Sequence, residues 1–447
     1  MFPFVGVIAG FLIYIAYKTQ RVPIPKRRWR RFLNRSSVPL DATTCHRLEG
    51  IYVIDAGREF FGETAALKWT YTVETSGTVY HLSFFCKKDG AYIVCEGKES
   101  KGDVLLKGYW RKLATADTGT VKLMITSADG ANELLNTPTG TIIKPLTIRG
   151  AYGFKRRKAK QPLSFHYQQP IPEKPSFEII AHRGGARNID FLPVSENTLD
   201  MIRMAARLGA TGIEVDVRMT KDGVPILMHD SFLSLHTVRN VFYKGMVSSY
   251  TLAQLKRVKL KKGGRIPTLE DALHAAVHFT PLRMVWLDIK RECDLRLVRE
   301  LQLKYLKIAA EIGREINIYI GIPDRDIMNC FTSLEDHKQL PSLCELNPQD
   351  ALGIDAKVWA PQYTGGVQAE EVAKIHAAGK KAYVWSLDHP WMINQYLKGG
   401  FDGIVTNSPP VVFHCYYVNG LAPVSGTASE SSKSTPVPSA TSGNKAS

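Results

Sequence analysis

Apolar and polar residues follow three different rhythms along this chain, with a tail that has none. The opening "MFPFVGVIAGFLIYIAY" carries no charge before Lys18. That is just long enough for a membrane-crossing helix, which needs roughly 17–25 residues. From 41 to 150 the pattern shortens to β-branched and aromatic runs such as "LKWTYTV", "TVYHLSFFC" and "AYIVCEG", broken by "TSG", "KKDG" and "TADTG". This spacing predicts antiparallel strands in a small barrel or sandwich. From 177 to 418 the runs "FEIIAH", "GIEVDV", "VPILMHD", "RMVWLDIK", "INIYIGI", "ALGIDAKVWA", "KKAYVWSL" and "DGIVTN" alternate with helical stretches such as "ENTLDMIRMAARLG". Eight buried strands alternating with helices predict a TIM (β/α)8 barrel of the α/β class. One unit misfits: only "RMTKDG" separates the second run from the third, too short for a crossover helix, so that connection is an extended return or a turn.

Between these regions, "GFKRRKAKQPLSFHYQQPIPEKPS" is basic and then proline-containing, and reads as a linker. From Ala422 the chain is Ser, Thr, Pro, Ala and Gly with almost no large apolar side chains, and cannot bury enough surface to fold. The expected organisation is a transmembrane anchor at 1–18, a basic juxtamembrane segment at 19–40, a β-rich domain at 41–150, a linker at 151–176, the barrel at 177–418 and a disordered tail at 419–447. "LEGIYVI" resembles a lipocalin-like first strand. No catalytic cluster is visible in the β-rich domain, which reads as a structural or interaction module, with a barrel holding an apolar ligand as the alternative.

Charge changes the picture. The 447 residues carry a net charge of +16. Such an excess suits nucleic acid or an anionic membrane surface. No nucleic-acid motif is recognisable, and much of the excess lies in the linker and in "KRRWRR" directly after the apolar run. Contact with anionic head groups is therefore expected, with no nucleic-acid partner. Positive charge on the C-terminal side of the run predicts a single-pass protein whose barrel faces the cytoplasm. The seven cysteines are scattered without a C-x-x-C pair or a Cys/His cluster, so neither zinc nor a disulfide scaffold is implied. Cys86 and Cys95 sit on the two arms of a predicted hairpin and could meet, but are read as free thiols.

In a TIM barrel the chemistry sits at the C-terminal ends of the strands. His182 and Arg183 end the first run, Glu214 and Asp216 the second, His229 and Asp230 the third, Asp288 and Lys290 the fourth. Side chains alternate faces along a strand, so E-x-D and D-x-K each place both groups on one face. Glu214, Asp216 and Asp288 would then crowd three carboxylates, which repel unless a cation intervenes. An all-oxygen set suits Mg²⁺, Ca²⁺ or Mn²⁺; ion pairing with Arg183 and Lys290 is the competing reading. Arg183, Lys290 and a metal would favour a phosphate. Gly184 and Gly185 would let the backbone approach it. The two histidines, each alone a plausible core residue, together read as an acid–base pair for phosphodiester cleavage.

The series "AHRGG…SENT…GATGIEVDVRMTKDGVPILMHD", with "RIPTLEDAL", "VWLDIK", "AYVWSLD" and "GFDGIVTNSPP", closely resembles the glycerophosphodiester phosphodiesterases over about residues 177–412. The resemblance implies a TIM barrel that hydrolyses glycerophosphodiesters to glycerol phosphate and an alcohol, or acts on lysophospholipids in the manner of a lysophospholipase D. It implies His182 and His229 as the catalytic pair and Glu214, Asp216 and Asp288 as metal ligands. Arg183 and Lys290 match phosphate contacts, Glu196 an orienting acid, and Trp385 a pocket aromatic. Asp288 stands where the family more often has glutamate. "SFLSLHTVRN" after Asp230 and "KLKKGGR" before "RIPTLEDAL" depart from its pattern. These departures keep open a barrel without turnover that senses phospholipid. Attack by water and attack by the substrate's own 2-hydroxyl fit the same residues.

Overall fold

The computed structural model describes residues 10, 13, 14, 16, 17, 19–26, 32, 37–137, 146–240, 242–291 and 293–419. The predicted anchor at 1–18 and the "KRRWRR" run lie largely outside the described residues, as does nearly all of the predicted tail. No helix among the described residues is long and apolar enough to cross a membrane.

The first domain is a closed up-and-down barrel. Its strands are β2 (Gly50–Ile54), β3 (Thr64–Glu74), β4 (Gly77–Cys86), β5 (Tyr92–Ser100), β6 (Asp103–Arg111), β7 (Thr118–Ile125), β8 (Thr147–Phe154) and β9 (Gln161–Gln169), and a short β1 (Val38–Pro39) adds to β5. Each strand pairs antiparallel with the next, and β9 returns to β2. Closure removes the sheet edges, the arrangement that lipocalins also use. Residues alternate strictly: Leu82, Phe84 and Cys86 face inward while Ser83 and Phe85 face outward. The interior is filled by Tyr52, Phe61, Phe84, Trp110 and Phe165, all fully buried.

One expectation is corrected here, and the reading of Cys86 and Cys95 as free thiols holds. Half of the linker predicted at 151–176 is strand: β8 and β9 complete the barrel, and Tyr152, Leu163, Phe165 and Tyr167 pack into its core. The Arg and Lys residues that suggested a linker occupy the turn between the two strands, where solvent accepts their charge. Cys86 and Cys95 do not meet. Cys95 lies opposite Leu82 and Cys86 opposite Ala65, on different rungs, and all seven cysteines are free thiols.

The second domain is the (β/α)8 barrel. Its eight parallel strands are β10 (Glu178–Ala181), β11 (Gly212–Met219), β15 (Met284–Ile289), β16 (Asn317–Ile322), β17 (Ser342–Cys344), β18 (Val358–Trp359), β19 (Lys381–Val384) and β20 (Gly403–Thr406), closed by β10 pairing with both β11 and β20. The run "VPILMHD" is not one of the eight. It forms β12 (Pro225–Leu227), antiparallel to β11, because six residues cannot carry a crossover. The eighth place goes to β17, three residues after a proline, too short to register as an apolar run. After β12 the chain makes a small hairpin, β13 (Phe232–Leu233) with β14 (Gly245–Met246).

The domains share a continuous apolar interface. Phe85, Tyr92, Val94 and Tyr109 on the outside of the first barrel join the outer core of the second, with Phe85 and Phe413 rings 4.7 Å apart. Arg111, fully buried at the end of β6, donates to Val22 O at 2.7 Å and to Phe191 O, tying the N-terminal segment, the first barrel and the loop after β10 together.

Candidate active site

The site begins where β10 stops. His182–Gly184 form one tight turn in which Arg183 has φ 53° and Gly184 φ 78°, both left-handed. This twist aims the Arg183 N–H at Glu214 Oε2, 2.7 Å away. Gly184 supplies the unusual backbone. Gly185 does not face the cavity as expected: a Cβ there would lie 2.1 Å from Met201 Sδ, so its missing side chain serves helix packing.

The following E-N-T triplet supports this turn from behind. Glu196 accepts from Arg183 Nη1 at 3.1 Å and from the Asn188 N–H. Asn197 clasps Asp216, donating from Nδ2 to Oδ2 at 2.7 Å and accepting from the Asp216 N–H. Thr198 caps the helix Leu199–Ala205 through the Met201 N–H. Each residue of the triplet therefore has a separate structural task.

The carboxylates arise from register. β11 and β15 run parallel with Asp216 opposite Asp288, which places the D-x-K of one strand beside the E-x-D of the other. Glu214, Asp216 and Asp288 each present an oxygen within 4.8 Å of the others. Lys290 Nζ lies 2.8 Å from Asp216 Oδ1 and 2.6 Å from Asp288 Oδ2. Burial opposes the charge on Asp216, but Lys290, His229 and Arg183 outweigh it and hold this carboxyl below the ordinary range. Glu214 goes the other way: burial, then the charges of Asp216 and Asp288, push it well above. Lys290 thus settles Asp216, while Glu214 and also Asp288, which burial raises despite Lys290, stay under-compensated. A hard divalent cation fits that imbalance, and these three residues would hold it.

The two histidines are oriented by different partners. His182 Nδ1 lies 2.8 Å from Asn407 Oδ1. Asn407 cannot be turned over, because its Nδ2 and backbone N–H both donate to Asp388, at 2.8 and 2.7 Å. Its oxygen must face the imidazole, so His182 carries its proton on Nδ1 and a lone pair on Nε2. That Nε2 sits 3.8 Å from Glu214 Oε2. Burial, reinforced by Arg183, lowers its pKa to about 4. His229 Nδ1 instead contacts the carboxylate of Asp230 at 2.8 Å. That bond keeps Asp230 ionised, below the ordinary range, so the imidazole is the donor. His229 follows the antiparallel β12 rather than a barrel strand, and Arg218 holds its backbone carbonyl at 2.9 Å.

His182, Arg183, Glu214, Asp216, His229, Asp288, Lys290 and Trp385 line one cavity of about 540 Å³, with Trp286 and Glu345 among its other walls. Glu196 lies behind Arg183 and opens onto a neighbouring groove. Trp385 is anchored by its indole N–H to Ala360 O at 3.0 Å. Sequence reasoning missed Asn407, Asp388, Asn197 and Glu345. Asn407 and Glu345 follow strands β20 and β17 as the named residues follow theirs. Asn197 stood within the E-N-T motif, where only the acid was singled out. Glu345 has an unpartnered buried Oε1, and burial followed by the charge of Asp288 pushes its pKa well up.

A profile of the Glycerophosphoryl diester phosphodiesterase family matches residues 182–411. The chain is 27% identical over 247 residues to a glycerophosphodiester phosphodiesterase of Caldanaerobacter subterraneus, covering 53% of this chain and 96% of that one. It is 34% identical over 181 residues to glycerophosphodiester phosphodiesterase 1 of Homo sapiens, covering 37% of this chain and 51% of the human protein. A solved phosphodiesterase of Oleispira antarctica, in complex with the product sn-glycerol-3-phosphate, is similar at 18% identity and a TM-score of 0.42, over 55% of this chain and 97% of that one. Since the matched profile spans half of the chain and takes in both histidines and all three clustered acids, the chain belongs to the glycerophosphoryl diester phosphodiesterase family of enzymes.

Proposed function

We propose that this protein hydrolyses glycerophosphodiesters to sn-glycerol 3-phosphate and an alcohol by histidine acid–base catalysis. The observation that carries the reading is the unequal support of the two histidines in one cavity. His182, held by a neutral amide, presents a free Nε2 and serves as base for the attacking hydroxyl. His229, oriented by the Asp230 carboxylate at 2.8 Å, gives a proton to the leaving alkoxide. Arg183 and Lys290 offset the phosphodiester charge that would repel the nucleophile. Glu214, Asp216 and Asp288 would hold Mg²⁺ or Ca²⁺, with Mn²⁺ a further candidate; such an ion supplies Lewis-acid polarisation of a phosphoryl oxygen. Trp385 lines the pocket and bounds the substrate, and Glu196 keeps Arg183 in place. Attack by water and by the substrate's 2-hydroxyl both use the same base. An N-terminal anchor would hold the barrel beside lipid, which makes lysophospholipids the second substrate class.

The test is release of sn-glycerol 3-phosphate by the full chain from glycerophosphocholine and from lysophosphatidylcholine, with EDTA, Mg²⁺ or Ca²⁺. Turnover that needs the metal and falls about 10²–10⁴-fold in His182→Ala is expected. A folded chain that binds metal and turns over neither substrate would sink the enzyme reading in favour of a phospholipid-sensing barrel.

A further inference from the structure

The rim segment that departs from the family pattern has an unusual charge. Between Asp230 and Glu270 there are eight Lys or Arg residues and not one acid. The segment is a built lobe: Leu233, Val238, Val247, Leu255, Val258 and Leu260 form its own small core. That core leaves large apolar side chains outside. Phe242 is 84% exposed, Leu235 56% and Phe232 53%. Arg239, Arg257 and Lys259 wall a surface groove with Asn240 and Tyr243. Among the described residues none of these three cations is paired with a carboxylate. Three exposed cations around one groove, with no acid among them, give it a positive potential that attracts an anion.

The lobe's position says which anion. Ser231, at the base of the hairpin, lines the catalytic cavity. His236 and Thr237 share a groove with Arg183, Ile189 and Thr19. Arg21 donates to Pro193 O at 2.7 Å, and its guanidinium lies against Gly263. Tyr17 packs edge-on against Phe191 at 5.3 Å. Tyr17, Thr19 and Arg21 therefore lie on the same rim as the basic lobe and the cavity mouth. The described side chains Ile13 and Tyr14 of the apolar run are exposed.

We infer that the 231–265 lobe is a membrane-docking surface. The groove of Arg239, Arg257 and Lys259 receives phosphate head groups of anionic lipids, while Phe242 and Leu235 enter the interface. Cations beside an anionic bilayer and an apolar ring removed from water both favour the docked state. A nucleic acid would use the cations and could stack on Phe242, but it has no use for the exposed Leu235 and Phe232. Docked this way, the catalytic mouth opens at the bilayer surface. The docking does not depend on turnover; only its consequence, delivery of lysophospholipid from the membrane, rests on the proposed function.

Hydrogen exchange tests it on the full chain in nanodiscs of phosphatidylcholine, with or without phosphatidylserine. Amides of β13, β14 and the turn between them should exchange at least about tenfold more slowly on phosphatidylserine discs. Arg239→Glu/Arg257→Glu/Lys259→Glu should lose this protection, and Phe242→Ser should weaken it. Exchange in β15 should stay the same in all variants, which separates loss of docking from loss of fold. No slowing on either disc, or slowing with an oligonucleotide and not with phosphatidylserine, overturns the inference. Turnover of soluble glycerophosphocholine should be unchanged in Phe242→Ser while turnover of vesicle-borne lysophosphatidylcholine falls. If the wild-type chain turns over neither, the proposed function fails while the exchange result still decides the docking.

Discussion

At the scale of single residues, the decisive contact is one whose role the quoted motifs did not reveal: the amide of Asn407, pinned by Asp388, setting the tautomer of His182. Asn407→Leu should leave the fold intact and lower kcat by about 10²–10³-fold with little change in KM, because the base loses its orientation. Asn407→Asp should act differently. A carboxylate beside His182 favours the imidazolium, so a pKa that burial lowers to about 4 would rise. The acid limb of the pH–rate profile should move upward, and an unmoved limb would remove His182 from the role of base. His182, Arg183, Glu214, Asp216, Asp288 and Lys290 were legible because strand ends of a parallel barrel converge and alternation fixes which side chains share a face. Asn407 was not, since an asparagine before Ser-Pro-Pro reads as an ordinary helix start, and its meaning depends on a histidine 225 residues away.

At the scale of elements, the long β3–β4 hairpin of the first barrel carries a buried titratable group. His81 bonds Thr72 at 2.9 Å, and burial, with Arg207 nearby, lowers its pKa to about 3. The neutral form is favoured on folding. Stability is therefore complete above the unfolded value of about 6.5 and is lost as pH falls from there toward 3, while the unfolded chain alone takes up the proton. His414, lowered by burial to about 4, adds to the same loss. Denaturant midpoints measured from pH 7.5 to 4 should fall steeply for the wild-type chain and less for His81→Gln. Equal slopes would show that His81 is not buried neutral. Element boundaries divided along physical lines as well. Strands of six or more residues with clear alternation were readable. β8 and β9 were hidden by the basic turn between them, and β17 by its three-residue length. β12 had the composition of a barrel strand, but chain length forbade it the parallel direction.

At the scale of the whole molecule, the two barrels behave as one packed body in which the first supports the catalytic rim of the second. Phe85→Ala, removing a ring held against Phe413, should cost about 3–5 kcal/mol. Calorimetry of the wild-type chain should show one cooperative transition, since the interface belongs to the same apolar core as the outer layer of the second barrel. Two well-separated transitions would contradict that coupling. Arg111→Met should destabilise by about 1–3 kcal/mol for each carbonyl left without its donor, and should loosen the loop bearing Phe191 beside the cavity. The loss should show as faster proteolysis near Phe191 without a change in the catalytic residues themselves.

What the sequence determined by itself was local and periodic: the alternation that makes strands, the order of strand and helix that makes a parallel barrel, and the motif series that marks the family. Each needs only neighbouring residues and a repeat length to be read. What the tertiary structure alone decided depends on residues far apart in the chain. It closed the first barrel by pairing β9 with β2 and set Asp216 opposite Asp288. It gave His182 and His229 unlike partners, and it brought the N-terminal segment onto the rim beside the basic lobe. Register and tautomer are properties of three-dimensional proximity, and no pattern along the chain encodes them one residue at a time.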